Sequence, residues 1–156
     1  MENTRELAWH FMAERDGVPV LRDGTPLEIG KWYEHVGELE MCAAGFHAST
    51  RAMDALRYAP GNWLALVEVE DFERGDDKLV ARRRRALWVF NAEELLRLFA
   101  RQCALLVVHL WDCPDIVKRY LEIGDESIRD AAWAAASAAA CDAQSEWLLA
   151  NTQPKF

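Results

Sequence analysis

Over the first 90 residues the apolar positions alternate instead of recurring with a helical period. In Leu7-Ala8-Trp9-His10-Phe11-Met12, an extended chain puts Leu7, Trp9 and Phe11 on one face and His10 on the other. Residues 63–70 show the pattern most clearly, with Trp63, Ala65, Val67 and Val69 on one face and Glu68 and Glu70 on the other. Residues 71–77 read as a loop and residues 78–90 as a long returning strand, with shorter strands expected at 18–21 and 31–34. Turn residues separate these segments: Asp16-Gly17, Asp23-Gly24, Gly30, Gly37, Gly45, Pro60-Gly61 and Gly75. One helix interrupts the strands at residues 51–58, with Ser49 or Thr50 as its cap and Pro60-Gly61 as its end. Gly45-Phe46-His47 is therefore a short strand running into a helix N-terminus, a place where unpaired N–H groups favour an anion.

Near residue 91 the period becomes helical. Leu95, Leu96, Phe99, Cys103, Leu106 and Val107 keep to one stripe, with Asn91 as cap and Glu94 at the capping-box position. Pro114 opens a second helix and Gly124 closes it. Asp125 caps a third, running to about Asn151 and almost all alanine over residues 131–140. Trp133 and Trp147 lie two heptads apart on it, with Ser137, Ala140 and Gln144 between; small side chains let a second copy approach, so a homo-oligomer through this helix is an expectation. The pattern gives an α+β chain: a small, mainly antiparallel sheet from residues 7–90 with one short helix, packed against about three C-terminal helices. It reads as a single domain over 1–156, strand-rich to 90 and helical over 91–151.

Composition refines this picture. At 156 residues and 51% apolar, the chain has enough material for one real core. A net charge of −8 argues against direct nucleic-acid binding, which needs basic residues on phosphates, and suits a partner with a basic surface. No apolar run approaches a membrane span, and residues 1–12 lack a secretory pattern. The four cysteines then point to a reducing cytoplasm, with Cys103 and Cys141 read as buried thiols.

Three groups of residues can carry chemistry. His10 and His47 face one cleft if their strands are neighbours, and an imidazole there acts as donor, acceptor or proton carrier. In Arg82-Arg83-Arg84-Arg85, alternate side chains point to opposite faces of a strand. The inward pair needs either carboxylates, which Glu68 and Glu70 can supply across a hairpin, or a bound anion. Cys42 with His47, and His109 with Cys113, have spacings a metal tolerates, but neither makes a zinc pattern, and no metal is expected. Walker, dinucleotide-type glycine and nucleophile-elbow motifs are absent from the sequence.

Met41-Cys42-Ala43-Ala44-Gly45-Phe46-His47-Ala48-Ser49, followed by Asp54-Ala55-Leu56-Arg57-Tyr58, resembles a family of small phage and prophage proteins of unknown function. Ile29-Gly30-Lys31-Trp32-Tyr33-Glu34 and Asp77-Lys78-Leu79-Val80-Ala81-Arg82 extend that resemblance, and it implies a phage origin. Trp9-His10-Phe11, Gly45-Phe46-His47 and Ala55-Leu56-Arg57-Tyr58-Ala59 also look like segments of ADP-ribosyltransferases. That resemblance implies that the His and aromatic positions hold NAD and that a later Glu activates the acceptor. No glutamate here has the supporting motif.

The function expected first is that of a phage-encoded accessory protein in the host-cell cytoplasm. It would inhibit a host defence system, for example as an anti-CRISPR, by binding a host defence protein through an acidic surface without a cofactor. The alternative is an NAD-dependent, ADP-ribosyltransferase-like enzyme, with His10, His47 and Tyr58 as candidate catalytic residues converging with one Glu in a cleft. The second alternative is a binder of a small anionic nucleotide, with Ser49, Thr50, Arg82, Arg83, Arg84 and Arg85 lining a pocket beside the helix at Arg51.

Overall fold

The computed structural model describes residues 5–151, with side chains described through residue 146. The chain divides into two compact units, Met1–Glu93 and Glu94–Phe156, with the boundary close to the change of period at residue 91.

The first unit is an antiparallel sheet. Strand β1 (Arg5–Arg15) turns back through Asp16-Gly17 into β2 (Val18–Val20). Both turn residues have positive φ, 52° and 78°, which gives the two-residue hairpin whose twist matches its strands. Strands β3 (Tyr33–Glu34) and β4 (Phe46–Ala48) both pair with β6 (Leu79–Asn91). β5 (Trp63–Arg74) lies between β1 and β6, giving the order β2-β1-β5-β6-β3 with β4 also on β6.

Strands β5 and β6 carry the register. Glu68 stands opposite Arg85 and Glu70 opposite Arg83, so the two carboxylates meet the guanidinium groups across the ladder. Arg85 Nε donates to Glu68 at 2.6 Å, Arg83 pairs with Glu70, and Arg5 Nε from β1 lies 2.6 Å from the other Glu70 oxygen. Trp32 covers this network, with Arg83 and Arg85 each 4.8 Å from its ring and Arg5 at 5.9 Å. The other face of β5 is the core, where Ala65, Val67 and Val69 pack with Ala8, Met12, Ala48, Leu79, Ala81 and Ala86.

The expected loop at residues 71–77 is mostly strand. β5 runs on to Arg74, because Phe72 packs against the core and Arg74 pairs with Glu6. Within this segment Asp71, at φ 51°, interrupts the pleat. The hairpin closes at Gly75, whose N–H donates to the Lys78 carbonyl at 2.7 Å. The capping role expected of Ser49 or Thr50 is also corrected. Helix α1 (Ala52–Leu56) starts later, at Arg51, without a side-chain cap. Ser49 is instead drawn into a bridge with β1, exchanging backbone hydrogen bonds with Trp9 at 2.7 and 2.9 Å. Thr50 is exposed.

The second unit contains α2 (Glu93–Val107), α3 (Asp115–Ile123) and α4 (Arg129–Asn151), with short 3-10 turns at Val108–Leu110 and Glu126–Ile128. The punctuation at Asn91 and Gly124 is as expected, whereas Asp125 caps a short 3-10 turn ahead of α4 and not α4 itself. Asn91 Oδ1 accepts from the Glu93 N–H at 2.9 Å, Gly124 closes α3 at φ 68°, and Asp125 caps the following turn through the Ser127 N–H. Cys103 and Cys141 are exposed, contrary to expectation, because α2 buries none of its residues and α4 buries Ala132 alone among its described side chains. Trp133 is 74% exposed, while the Trp147 side chain, the other half of the expected seam, lies outside the described residues. Among the described residues no helix is long and apolar enough to cross a membrane.

Glu70 is fully buried and meets two guanidinium groups, so removing its charge takes from each the buried carboxylate it pairs with. Glu70→Gln is expected to lower the unfolding free energy by about 3 kcal/mol. Glu34→Gln, which removes an exposed partner 4.0 Å from Arg83, should cost little. Urea midpoints that move equally for the two variants would contradict this assignment.

Candidate ligand-binding cleft

β1, β4, the residues after α1 and the turn following β2 enclose a cleft of about 760 Å³. His10 enters it from β1. It sits opposite Ala65 in the ladder, on the face away from Trp9, as alternation requires. His47 enters from β4, and Tyr58 from the end of α1. Ser49 and Ala48 form part of the wall, and Met12, on the His10 face of β1, supplies apolar surface with Leu21.

The Gly45-Phe46-His47 segment is held by several contacts. Gly45 takes φ 110°, and a Cβ there would lie 2.6 Å from Val80 Cγ2 and 2.9 Å from Leu39 Cδ2, so only glycine fits. His47 pairs with Val80, and its carbonyl accepts from Arg84 Nη1 at 2.7 Å. Its imidazole Nε2 accepts from the Cys42 backbone N–H at 2.8 Å, fixing Cys42 at φ 72°. Acceptance at Nε2 leaves the ring proton on Nδ1. The ring is thus neutral and serves as a pin for the loop as well as a wall of the cleft.

Electrostatics keep both histidines uncharged. Burial pushes His10 well below the usual imidazole range, and the nearby Arg84 and His47 push in the same direction. Burial also lowers His47, helped by Lys78, Arg84 and Arg22, while a hydrogen bond to the Gly45 backbone opposes them. Arg84 is itself buried, and desolvation brings it down to about 10, so it stays charged at neutral pH. Its guanidinium meets the His47 carbonyl and the Phe46 ring, 5.0 Å away, and no carboxylate among the described residues pairs with it.

The expected site residues separate into two sets. His10, His47, Tyr58 and Ser49 come together in the cleft. Thr50 and the four arginines do not line it. Arg83 and Arg85 serve the carboxylates of the opposite sheet face, and Arg82 Nε donates to Asp71 at 2.8 Å. Arg84 lies behind the cleft on His47. α1 is a five-residue helix, too short to offer an anion site at its N-terminus. Sequence reasoning missed Arg15, Arg22 and Lys78, which all line the cleft. Their signal was available: Arg15 precedes the Asp16-Gly17 turn and Arg22 precedes Asp23-Gly24, so two adjacent turns carry cations at one end of a hairpin.

Glu14 and Asp23 also line the cleft. Glu14 Oε2 accepts from Trp63 Nε1 at 2.8 Å, and Asp23 Oδ1 accepts from the Thr25 N–H at 2.9 Å. Tyr58 is half-exposed, its hydroxyl donates to Asp77 at 2.7 Å, and Lys78 Nζ sits 4.0 Å over its ring. Among the described residues, no group of three His, Cys, Asp or Glu gathers to hold a metal ion.

Fold and cleft together define a small α+β protein whose curled antiparallel sheet carries a ligand-sized hollow beside a glycine-dependent strand. The chain belongs to the DUF7666 family, a domain of unknown function that matches residues 20–98, about half its length. Arg22, Cys42, His47, Ser49, Tyr58 and Lys78 fall inside the matched span, while His10 and Arg15 precede it. No curated protein and no solved structure matches the chain.

Both histidines bind a proton less readily in the folded chain than in the unfolded one. As pH falls through about 6.5 the unfolded chain takes up protons first, so their contribution to stability is complete above that value and is lost below it. The urea midpoint is expected to fall between pH 7 and pH 5, each group adding at most about 1.4 kcal/mol per pH unit. His10→Gln should flatten that slope; an unchanged slope in the variant would rule out His10 as a source.

Proposed function

We propose that the cleft binds a nicotinamide-type nucleotide, NAD or one of its derivatives. One observation carries this reading. His10, His47 and Tyr58, the positions singled out by the resemblance to ADP-ribosyltransferases, come from three separate segments and line one cleft. The volume of about 760 Å³ lies within the span of about 300 to 1,000 Å³ usual for ligand sites. Apolar surface from Met12 and Leu21 suits a planar head group, and a neutral His10 offers hydrogen bonding without the cost of a buried charge. The reading is one of binding. Glu68 and Glu70 are committed to arginines on the other sheet face, and Glu14 is engaged with Trp63, so group transfer lacks an uncommitted glutamate among these residues.

Calorimetry with NAD, nicotinamide mononucleotide, ADP-ribose and nicotinamide tests the proposal. NAD is expected to bind, and His10→Ala and Tyr58→Ala to weaken binding roughly tenfold each. If none of the four ligands produces heat with the wild-type chain, the proposal is wrong.

The net charge of −8 and the phage-like motif support a second reading, that of a phage accessory protein whose acidic surface occupies a basic groove on a host defence protein. It requires restored phage growth on a defended host and a complex that weakens steeply with salt. Loss of either result removes this reading while leaving the cleft proposal in place.

A further inference from the structure

The cleft reverses the sign of the chain that surrounds it. The protein carries −8, yet the cleft lining holds Arg15, Arg22 and Lys78 against only Glu14 and Asp23. Both carboxylates are already engaged, Glu14 by the Trp63 indole and Asp23 by the Thr25 turn. Lys78 is engaged too, over the Tyr58 ring. Arg15 and Arg22 are different: neither has a hydrogen bond or ion pair among the described residues, and both are exposed at the rim.

Their placement is set by one turn. Residues 21–25 close through Leu21 N–H to the Thr25 carbonyl and Gly24 N–H to the Leu21 carbonyl, both at 2.8 Å. Arg22 stands within this turn. Gly24, at φ 85°, leaves the space that the Arg15 guanidinium crosses; a Cβ there would lie 2.7 Å from Arg15 Nη2. The missing side chain at position 24 thus brings a β1 guanidinium onto the turn that carries the second one. Two guanidinium groups carried at one turn, without protein partners among the described residues and lining a ligand-sized hollow, suit a polyphosphate.

We infer that Arg15 and Arg22 form a phosphate subsite at the rim of the cleft, which takes the diphosphate of a nucleotide whose head group lies at His10 and Tyr58. The position of the head group rests on the function proposed above; the subsite itself stands on the two arginines and the turn. The field of Arg22 reaches His47 inside the cleft, so rim and interior belong to one electrostatic site.

Inorganic pyrophosphate is the probe for the subsite, and nicotinamide the probe for the head group. Both arginines are exposed, so Arg15→Ala with Arg22→Ala should leave the fold intact, with circular dichroism and the urea midpoint as checks. Pyrophosphate is expected to bind the wild-type chain and to weaken roughly tenfold to a hundredfold in the double variant. Lysine at both positions should restore part of that loss, and nicotinamide affinity should not change. Pyrophosphate that fails to bind, or binds equally to both chains, overturns the subsite even if nicotinamide binds. Arginine-dependent pyrophosphate binding without any nicotinamide-type binding upholds the subsite and overturns the head-group reading.

Discussion

The row of opposed charges between β5 and β6 is the constraint on which the first unit depends. Glu68 faces Arg85 and Glu70 faces Arg83, and a slip of one residue would send every one of these side chains to the wrong face. Glu70 is buried, so a slip would leave its carboxylate in a dry place without the two guanidinium groups that now meet it. Such a pair contributes more to register than to net stability, because desolvation offsets much of the attraction. The other strands hang on this hairpin: β1 pairs with β5, and β3 and β4 pair with β6.

Register also decides what Arg84 does. With Arg83 and Arg85 on the network face, Arg84 must point the other way, into the region of the core and the cleft. There it finds the His47 carbonyl and the Phe46 ring, and so fastens β4 to the sheet. Its charge faces His10 and His47 and helps keep both neutral. A run of four arginines that resembles a basic patch is thus divided by strand alternation into separate tasks. One pair balances buried acid. A third member sets the electrostatics behind a binding site, and Arg82 ties the strand to Asp71 and to the Gly37 carbonyl.

Much of this fold was legible in the sequence wherever a single period governed a long segment. Alternation in residues 63–70 placed Glu68 and Glu70 on one face, and the same rule made them partners for the arginines. The α+β class and the helix punctuation at Asn91, Gly124 and Asp125 came from turn and cap chemistry. The limits have physical causes. Residues 71–77 look like a loop because they are polar, but Phe72, Glu73 and Arg74 are paired with the buried Ala81, Val80 and Leu79, which hold them in the strand. Ser49 looks like a cap because a helical segment begins just after it, whereas its backbone is claimed by Trp9 of the first strand. Local chemistry does not announce such a long-range competitor. The candidate site was legible in part for the same reason. His10, His47 and Tyr58 carry a motif; Arg15 and Arg22 are marked in the sequence only by the turns they precede, and tertiary structure brings them and Lys78 to the cleft.

The tryptophans show how the two faces of the sheet are kept apart. Trp32 lies over Arg5, Arg83 and Arg85, shielding the charge network from water while letting its ring face meet the cations. Trp63 uses its N–H to hold Glu14, one of the two carboxylates at the cleft. That hydrogen bond leaves the carboxylate charged but holds it on the indole, so it makes no ion pair with Arg15, the next residue on the strand. Asp23 is engaged in the same way by its own turn, next to Arg22. Each cation at the rim therefore has an acid as sequence neighbour, and each acid is occupied by an internal hydrogen bond. From composition this stretch is charge-balanced and ordinary. In the fold, the acids are satisfied within the protein and the two guanidinium groups remain available, so an acidic chain presents a cationic rim.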